Sequence, residues 1–320
     1  MWNTTKKEIK CDEDFELTQT GTVEKFAGCI WDLYVRKRDQ MPGILTKERP
    51  AMTNEINPTS ATEDEKFPAP SVFVEEALRY TKEAADKGVP LRILGGLAIY
   101  LHSQNESALW NSLGRIGSKV FTDIDLMGYS RLMSKIIEYF ESMGYTYSQT
   151  ALLARGSNRI IFFGKTIPIV DVFMDKLDMC HTIDFRNRLE LDYPTISLAD
   201  LLLEKLQIVQ LNEKDIKDTI VLLRAHDLGG GDRETINTDY IASLLSRDWG
   251  FYYTFTTNLA KTKEYIFTSD ALAEHRDDLN GKIEKIAQRI QSEPKTTGWK
   301  MREKVGPRKK WYQDVGDPTR

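Results

Sequence analysis

The chain has 320 residues, enough for two compact domains, and 41% of them are hydrophobic, as in ordinary globular proteins. Its 44 basic and 48 acidic residues give a formal net charge of −4, which argues against a protein coated with nucleic acid but allows a local basic patch. Three scattered cysteines without a C-x-x-C pair argue against a zinc site or a disulfide framework. No secretory signal or membrane span is apparent, so we expect a cytoplasmic protein without a membrane partner.

The pattern of apolar residues and loop signals divides the chain into four regions. Residues 1–70 predict an N-terminal extension and linker. Over residues 71–196 helix and strand patterns alternate, which predicts an α/β (α+β) domain with a mixed sheet and flanking helices. The pattern predicts a helical C-terminal domain over residues 197–291 and a basic, flexible tail over residues 292–320.

Within these regions the elements are predicted in chain order. The second region predicts helix 74–87, strand 91–94, a helix from 97, a loop over 103–119, strand 121–127, helix 132–143, and strands 159–163, 167–174 and near 185–191. The third region predicts helices 198–211, 215–224, 237–246, 252–267 and 271–290, the first with a Ser197/Asp200 capping box. Gly229–Gly231 are predicted to cap the helix that ends near residue 224.

Two carboxylates are the first candidate site residues. Asp123 and Asp125 are two positions apart in a predicted strand, so their side chains are expected on one face, roughly 6.5 Å apart. A hard divalent cation with oxygen ligands suits such a pair. The alternative is an edge strand with a solvated acidic face, and the pattern alone leaves both interpretations open.

A third acid, Asp171, is the single charge in a strongly apolar predicted strand. Burying an unpaired carboxylate costs several kcal/mol, so Asp171 requires a cation, a hydrogen-bond network or the open end of a sheet. If its strand neighbours that of Asp123 and Asp125, three carboxylates converge, and such a cluster can hold two metal ions. Asp175, beyond the apolar part, is interpreted as an exposed strand-end residue.

Glycine and basic residues offer candidate phosphate contacts. Gly95-Gly96 lies between a predicted strand and helix, where it either forms a tight turn or lets a triphosphate approach the backbone. Lys205 lies on an otherwise apolar helix, and it either pairs with Asp218 or faces the cleft; we favour the cleft. Arg115 and Lys119 precede the acidic strand and are either phosphate contacts or solvated.

Together these residues resemble the DNA polymerase beta-like nucleotidyltransferase superfamily, and within it most of all the abortive-infection (AbiEii-type) nucleotidyltransferase group. The resemblance covers about residues 90–226. The matching segments are Gly95-Gly96, Thr122-Asp123-Ile124-Asp125-Leu126, Val170-Asp171-Val172, Leu203-Glu204-Lys205-Leu206 and Lys214-Asp215-Ile216-Lys217-Asp218-Thr219. The chain departs from the group in a longer segment between Gly95 and Asp123, and in Lys214 and Thr219, where arginine and leucine are common.

The resemblance implies a nucleotidyltransferase fold that transfers NMP from an NTP with magnesium, with two ions expected. Asp123, Asp125 and Asp171 would be the catalytic and metal-binding residues, Asp171 activating the acceptor hydroxyl. The implied nucleotide-binding residues are Gly95, Gly96, Thr122 and Lys205. The acceptor would be tRNA, a protein or a small molecule, and a toxin role would imply an antitoxin partner. The alternative is a catalytically silent nucleotide-binding module of the same fold.

Other features favour structural roles. His102 is interpreted as a packed or hydrogen-bonded residue, and not as a metal ligand. The aromatic residues at positions 249–255 are predicted to be core, although they could also stack nucleic-acid bases. In the tail, basic residues alternate with Trp299, Trp311 and Tyr312, which suits either RNA contacts or a solvated segment, and both interpretations remain open.

Overall fold

The computed structural model describes residues 67–115, 120–148 and 158–315, and a five-stranded mixed sheet is its central feature. The strand order is β1-β2-β5-β4-β3, with β2 and β5 parallel and every other neighbouring pair antiparallel. The strands are β1 (Arg92–Ile93), β2 (Ile124–Gly128), β3 (Thr146–Tyr147), β4 (Arg159–Phe163) and β5 (Ile169–Met174). Because β5 lies in the middle and is covered on both faces, its sequence is almost entirely apolar.

Helices cover this sheet. Helix α1 begins at Pro70, whose fixed φ suits the first turn of a helix, and it packs against β1 and α2. In α4, the Phe140 ring stacks on Phe162 of β4 with ring centroids 4.5 Å apart. The helices of this half are α1 (Pro70–Asp86), α2 (Gly95–His102), α3 (Ser107–Ser112) and α4 (Met133–Ser142), with 3-10 turns at Gln104–Glu106 and Ser130–Leu132.

The rest of the described chain is mainly helical. Helix α5 is buried along its whole length and contacts α2 from the sheet-containing half. The predicted cap is present, because the Ser197 Oγ accepts the Asp200 N–H at 3.3 Å. The helices are α5 (Leu198–Leu206), α6 (Glu213–Ala225), α7 (Thr238–Leu245), α8 (Trp249–Thr268), α9 (Arg276–Ser292) and α10 (Thr297–Val305), with 3-10 turns at Asp270–His275 and Gly306–Arg308.

The mixed sheet, its flanking helices and the helical C-terminal part confirm the predicted fold class. The described residues belong to one structural unit. The predicted division at residue 196 therefore stays a prediction. The proposed extension before residue 67 and the segment 116–119, with Lys119, lie outside the described residues.

Two predicted segments of the sheet-containing half are wrong in detail. Helix α3 stands where a loop was predicted, because Leu109 and Trp110 anchor a turn too short to show a helical period. No strand forms over residues 185–191, where Asn187 adopts a left-handed φ of 64°. The chain makes a hairpin just before it, formed by β6 (Lys176–Asp178) and β7 (Thr182–Asp184).

Two further predictions, for the C-terminal part of the chain, are wrong in detail. Gly229 ends a strand instead of capping a helix. The strands are β8 (Asp227–Gly229) and β9 (Thr235–Asn237), which pair in parallel. In the predicted flexible tail, residues 297–305 form α10, since the buried Trp299 packs against the Tyr252 ring at a centroid distance of 5.0 Å.

Candidate active site

The two parallel central strands bring the predicted acids together. The Cα positions of Asp125 in β2 and Asp171 in β5 are register partners, so the two side chains leave the same face of the sheet from neighbouring strands. Neighbouring strands are about 4.8 Å apart. The strands are therefore neighbours, as the predicted convergence requires, and their register brings Asp125 and Asp171 together.

Asp123 joins this pair from outside the strand. The sequence predicted it within a strand, but β2 begins one residue later, at Ile124. The Thr122 Oγ1 donates a hydrogen bond to the Asp123 Oδ1 at 3.1 Å, which fixes the acid at the entrance to the strand. Thr122 is exposed, and Asp123 and Asp125 are both half-buried, so both acids are partly open to solvent.

The pKa of Asp125 is raised well above its ordinary value. Loss of hydration is the largest cause, and the negative charges of Asp123, Asp171 and Glu204 add to it. Lys205 acts in the opposite direction. Like charges crowd this carboxylate, and a bound cation would relieve the repulsion.

Asp171 is held by an arginine that the sequence analysis missed. The Arg159 Nε donates to both carboxylate oxygens of Asp171, at 2.9 and 2.8 Å, and its Nη2 also donates to Oδ2. Asp171 is 3% exposed. The signal that would have pointed to Arg159 is an arginine opening the otherwise apolar strand β4.

Gly95 allows the backbone to approach Asp125. Its φ is +77°, which favours glycine, and an added Cβ would lie 2.9 Å from the Asp125 Oδ2. The Gly95 N–H donates to the Glu204 Oε2 at 3.0 Å, so a carboxylate caps the start of α2. A Cβ on Gly96 would lie 3.3 Å from the Asp218 Oδ2. The tight-turn interpretation is confirmed, and the turn lies directly against the acidic cluster.

Lys205 belongs to a buried ion network beside this turn. Its Nζ lies 3.2 Å from Asp218 Oδ2 and 3.3 Å from Asp215 Oδ1. Burial lowers its pKa, but Asp218, Asp215 and Glu204 outweigh that effect and raise it above the ordinary value. The pairing with Asp218, which the sequence left as the less favoured alternative to a position in the cleft, is therefore present, and Lys205 also acts electrostatically on Asp125.

Arg115 completes this network, so it is neither solvated nor free to contact phosphate. Its Nε and Nη2 donate to the Asp218 Oδ1 at 2.8 and 2.6 Å, and Asp218 is fully buried. Asp218 thus joins a lysine on α5 to an arginine that follows α3. The network fixes the helices that lie behind the glycine turn.

The donor set fits a divalent cation only in part. Within the described residues, no group of three or more His, Cys, Asp or Glu side chains is arranged to hold a metal ion. Arg159 engages Asp171, which leaves Asp123 and Asp125. Magnesium in nucleotide-processing sites is commonly held by one or two carboxylates together with substrate phosphates, so these two carboxylates fit that ion in the presence of a nucleotide.

The remaining candidates have structural roles. The His102 Nε2 lies 2.5 Å from the Thr195 Oγ1, and burial lowers its pKa to about 4, which confirms a hydrogen-bonded, neutral histidine. The predicted core role is confirmed for the three buried aromatic residues of α8, which are Trp249, Phe251 and Phe255. Asp175 directly follows the last residue of β5; it is half-buried where an exposed residue was predicted, and it accepts hydrogen bonds from the backbone N–H and Oγ of Ser130.

Comparisons with known proteins give only distant likenesses. No family model and no curated protein matches the chain. An antibiotic-resistance factor, ANT(2'')-Ia, is 13% identical at a TM-score of 0.32, covering 55% of this chain and 94% of its own. An antigenic nucleotidyltransferase-like protein from Paracoccidioides brasiliensis is 13% identical at a TM-score of 0.34, covering 72% of this chain and 97% of its own. Likenesses of this extent carry no weight for function. Among the described helices, none has the length and apolar character needed to cross a membrane.

Proposed function

We propose that this chain is a magnesium-dependent nucleotidyltransferase that moves NMP from an NTP to an acceptor hydroxyl. The observation that carries the proposal is the register of Asp125 and Asp171 on parallel neighbouring strands, opposite the glycine turn at Gly95. Metal-dependent phosphoryl transfer requires clustered carboxylates beside a backbone that phosphates can approach.

In this reaction the acceptor hydroxyl loses its proton to solvent and its oxygen attacks the α-phosphorus of the NTP. A new phosphorus–oxygen bond forms, and the bond to the leaving pyrophosphate breaks. Asp123 and Asp125 would hold magnesium, which neutralises charge on the phosphate oxygens as the bonds change. Lys205 supplies a fixed positive charge beside Asp125, and its ion pairs with Asp215 and Asp218 orient it. Gly95 keeps the space next to Asp125 free of a side chain.

The acceptor classes follow from the resemblance to the abortive-infection group. They are tRNA, protein side chains and small molecules with a free hydroxyl, and a toxin role with an antitoxin partner belongs to the same proposal. Any of them would enter from the side of the exposed Thr122, which adjoins the half-buried Asp123 and Asp125. The nucleotide-binding role of Thr122 also stays a prediction, although its hydrogen bond to Asp123 places it beside the carboxylates.

A second candidate is a silent nucleotide-binding module of the same fold. The observation that favours it is the Arg159–Asp171 ion pair, because that pair occupies an acid that would otherwise bind metal or accept a proton. Both candidates predict nucleotide binding. They differ in whether any group is transferred.

The test incubates the full chain with each α-labelled NTP, magnesium and either total RNA or purified protein acceptors. Under the proposal, label moves to an acceptor, and Asp123→Asn or Asp125→Asn abolishes the transfer. Asp175→Asn is the matched control, since Asp175 lies at the far end of β5 and bonds Ser130. It keeps full transfer. Metal-dependent nucleotide binding without transfer would establish the silent module, and no binding would overturn both.

A further inference from the structure

We propose that Arg159 is a resident cation of the acidic cluster, so that the protein binds a single divalent ion through Asp123 and Asp125 while Asp171 takes no part in metal coordination. This inference rests on the proposed function and deepens it. The resemblance implies two ions and three acidic ligands. The structure places a guanidinium where one of those ions would neutralise charge.

The first support is how completely the arginine occupies Asp171. The Arg159 Nε lies 2.9 Å from Oδ1 and 2.8 Å from Oδ2, and Nη2 also contacts Oδ2. Both carboxylate oxygens therefore already accept hydrogen bonds from one guanidinium. A metal ion that took Asp171 as a ligand would have to break these charge-assisted bonds at a nearly buried carboxylate.

The second support is that the sheet itself holds Arg159 in place. Its Cα is the register partner of Phe173 in β5, two positions along the same strand from Asp171. The guanidinium carbon lies 4.8 Å from the centroid of the Phe173 ring, a distance suited to a cation–π contact. Two residues of the central strand β5 therefore hold the Arg159 guanidinium, Asp171 by hydrogen bonds and Phe173 by its ring. Arg159 itself lies in a strand and not in a loop.

The third support is the charge balance of the cluster. Asp123 and Asp125 act electrostatically on Arg159 as well as Asp171 does, so one guanidinium faces all three acids. An arginine side chain stays protonated in proteins. Three carboxylates and one guanidinium leave two negative charges, which is the charge that one divalent ion neutralises.

The test measures binding of Mn²⁺ alone to the full chain by electron paramagnetic resonance. We expect the wild type to bind one ion, and Asp125→Asn to lose it. The decisive variant is the double substitution Arg159→Gln with Asp171→Asn, which removes both charges of the pair and so keeps the net charge of the cluster. We expect it to match the wild type in stoichiometry and affinity.

Arg159→Gln alone removes the guanidinium from Asp171, and we expect this variant to bind a second ion or to bind the first about tenfold more tightly. If that single variant does not fold, which circular dichroism would show, the double variant still decides. A loss of about tenfold or more in Mn²⁺ affinity in the double variant would show that Asp171 is a ligand, and would overturn the inference. No Mn²⁺ binding by the wild type, either alone or with an NTP added, would overturn the proposed function instead.

Discussion

Asp125 and Asp171 are register partners on the two parallel strands at the centre of the sheet, 46 positions apart in the numbering of the chain. Each acid is flanked by buried apolar residues of its own strand, so the core fixes the positions of both. A one-residue slip between these strands would turn one of them to the other face of the sheet. The packing of the core therefore determines that two carboxylates meet at this site.

Replacing Gly95 tests whether the glycine turn shapes the site. In Gly95→Ala the left-handed φ of +77° costs on the order of 1–2 kcal/mol, and the new Cβ lies 2.9 Å from the Asp125 Oδ2. We expect lower stability together with a loss of Mn²⁺ binding and transfer. Urea unfolding and a Mn²⁺ titration measure the two effects.

Gly88→Ala is the matched control for this prediction. Gly88 has a similar φ of +73°, but nothing lies within 4 Å of an added Cβ. It should lose a comparable amount of stability and keep both metal binding and activity. If Gly95→Ala bound Mn²⁺ as tightly as Gly88→Ala does, close approach of the turn to Asp125 would have no role in the site.

Asp218 is predicted to be the most sensitive residue of the buried ion network. It is fully buried and accepts from Arg115 at 2.6 and 2.8 Å, while Lys205 lies 3.2 Å away. Asp218→Ala leaves two buried cations without their shared partner, so we expect a loss of about 3–5 kcal/mol in the free energy of unfolding.

The control for Asp218 comes from the same helix. Glu213 pairs with Lys217 at 2.6 Å on an exposed face, and such i,i+4 pairs contribute about 0.3–0.5 kcal/mol. Denaturant unfolding of Glu213→Ala should therefore change little. A loss in Asp218→Ala no larger than in Glu213→Ala would mean that the network contributes nothing to stability.

The central architecture follows from local sequence signals. β5 could be predicted because its run of apolar residues is long enough for a buried strand. α5 could be predicted because Ser197 caps a helix with periodic apolar residues. The convergence of Asp125 with Asp171 could be predicted only if their strands were assumed to be neighbours, since the order of strands in a sheet is a non-local property. A six-residue helix such as α3 is too short to show a period.

The contacts that define the chemistry of the site could not be predicted from the sequence. The Arg159–Asp171 pair depends on the antiparallel register of two strands, and the Glu204 contact with the Gly95 N–H joins residues 109 positions apart. Lys205 shows the limit most clearly. Pairing with Asp218 and a position in the cleft were treated as alternatives; the fold pairs Lys205 with Asp218 and also lets its charge act on Asp125, while a contact with nucleotide stays a prediction.

Without metal, the contribution of Asp125 and Glu204 to stability should fall as pH rises through the acidic range toward neutrality. Burial raises the pKa of both Asp125 and Glu204 in the folded state. Between the ordinary carboxyl values, about 4, and the raised ones, the folded state keeps protons that the unfolded state has lost, so stability decreases with pH. Magnesium binds the ionised acids, and its stabilising effect should therefore grow with pH.

Thermal unfolding of wild type and Asp125→Asn, with and without magnesium over roughly pH 5 to 8, measures this linkage. Without metal the variant should gain stability over the wild type as pH rises, and it should lose the magnesium effect. His102 and His181, with pKa values lowered to about 4, destabilise both proteins on acidification, so the comparison cancels them. A difference between variant and wild type that is independent of pH would contradict the prediction.

The C-terminal aromatic residues are predicted to stabilise the fold instead of stacking nucleic-acid bases. Trp299 is 5% exposed and packs against the Tyr252 ring, and the Trp311 Nε1 donates a hydrogen bond to the Thr254 Oγ1 at 3.0 Å. Trp299→Ala should therefore cost about 3 kcal/mol or more in the free energy of unfolding. Met301→Ala, at a side chain 60% exposed on the same helix, should stay within about 0.5 kcal/mol of the wild type.

Urea unfolding and RNA binding, measured side by side, separate the two interpretations of this segment. The basic residues here stay exposed and can still attract a phosphate backbone; they are Lys300, Lys304, Arg308 and Lys309. RNA binding, where it occurs, should then weaken with added salt and depend on these cations. Unchanged stability in Trp299→Ala together with weaker RNA binding would instead assign Trp299 to base stacking.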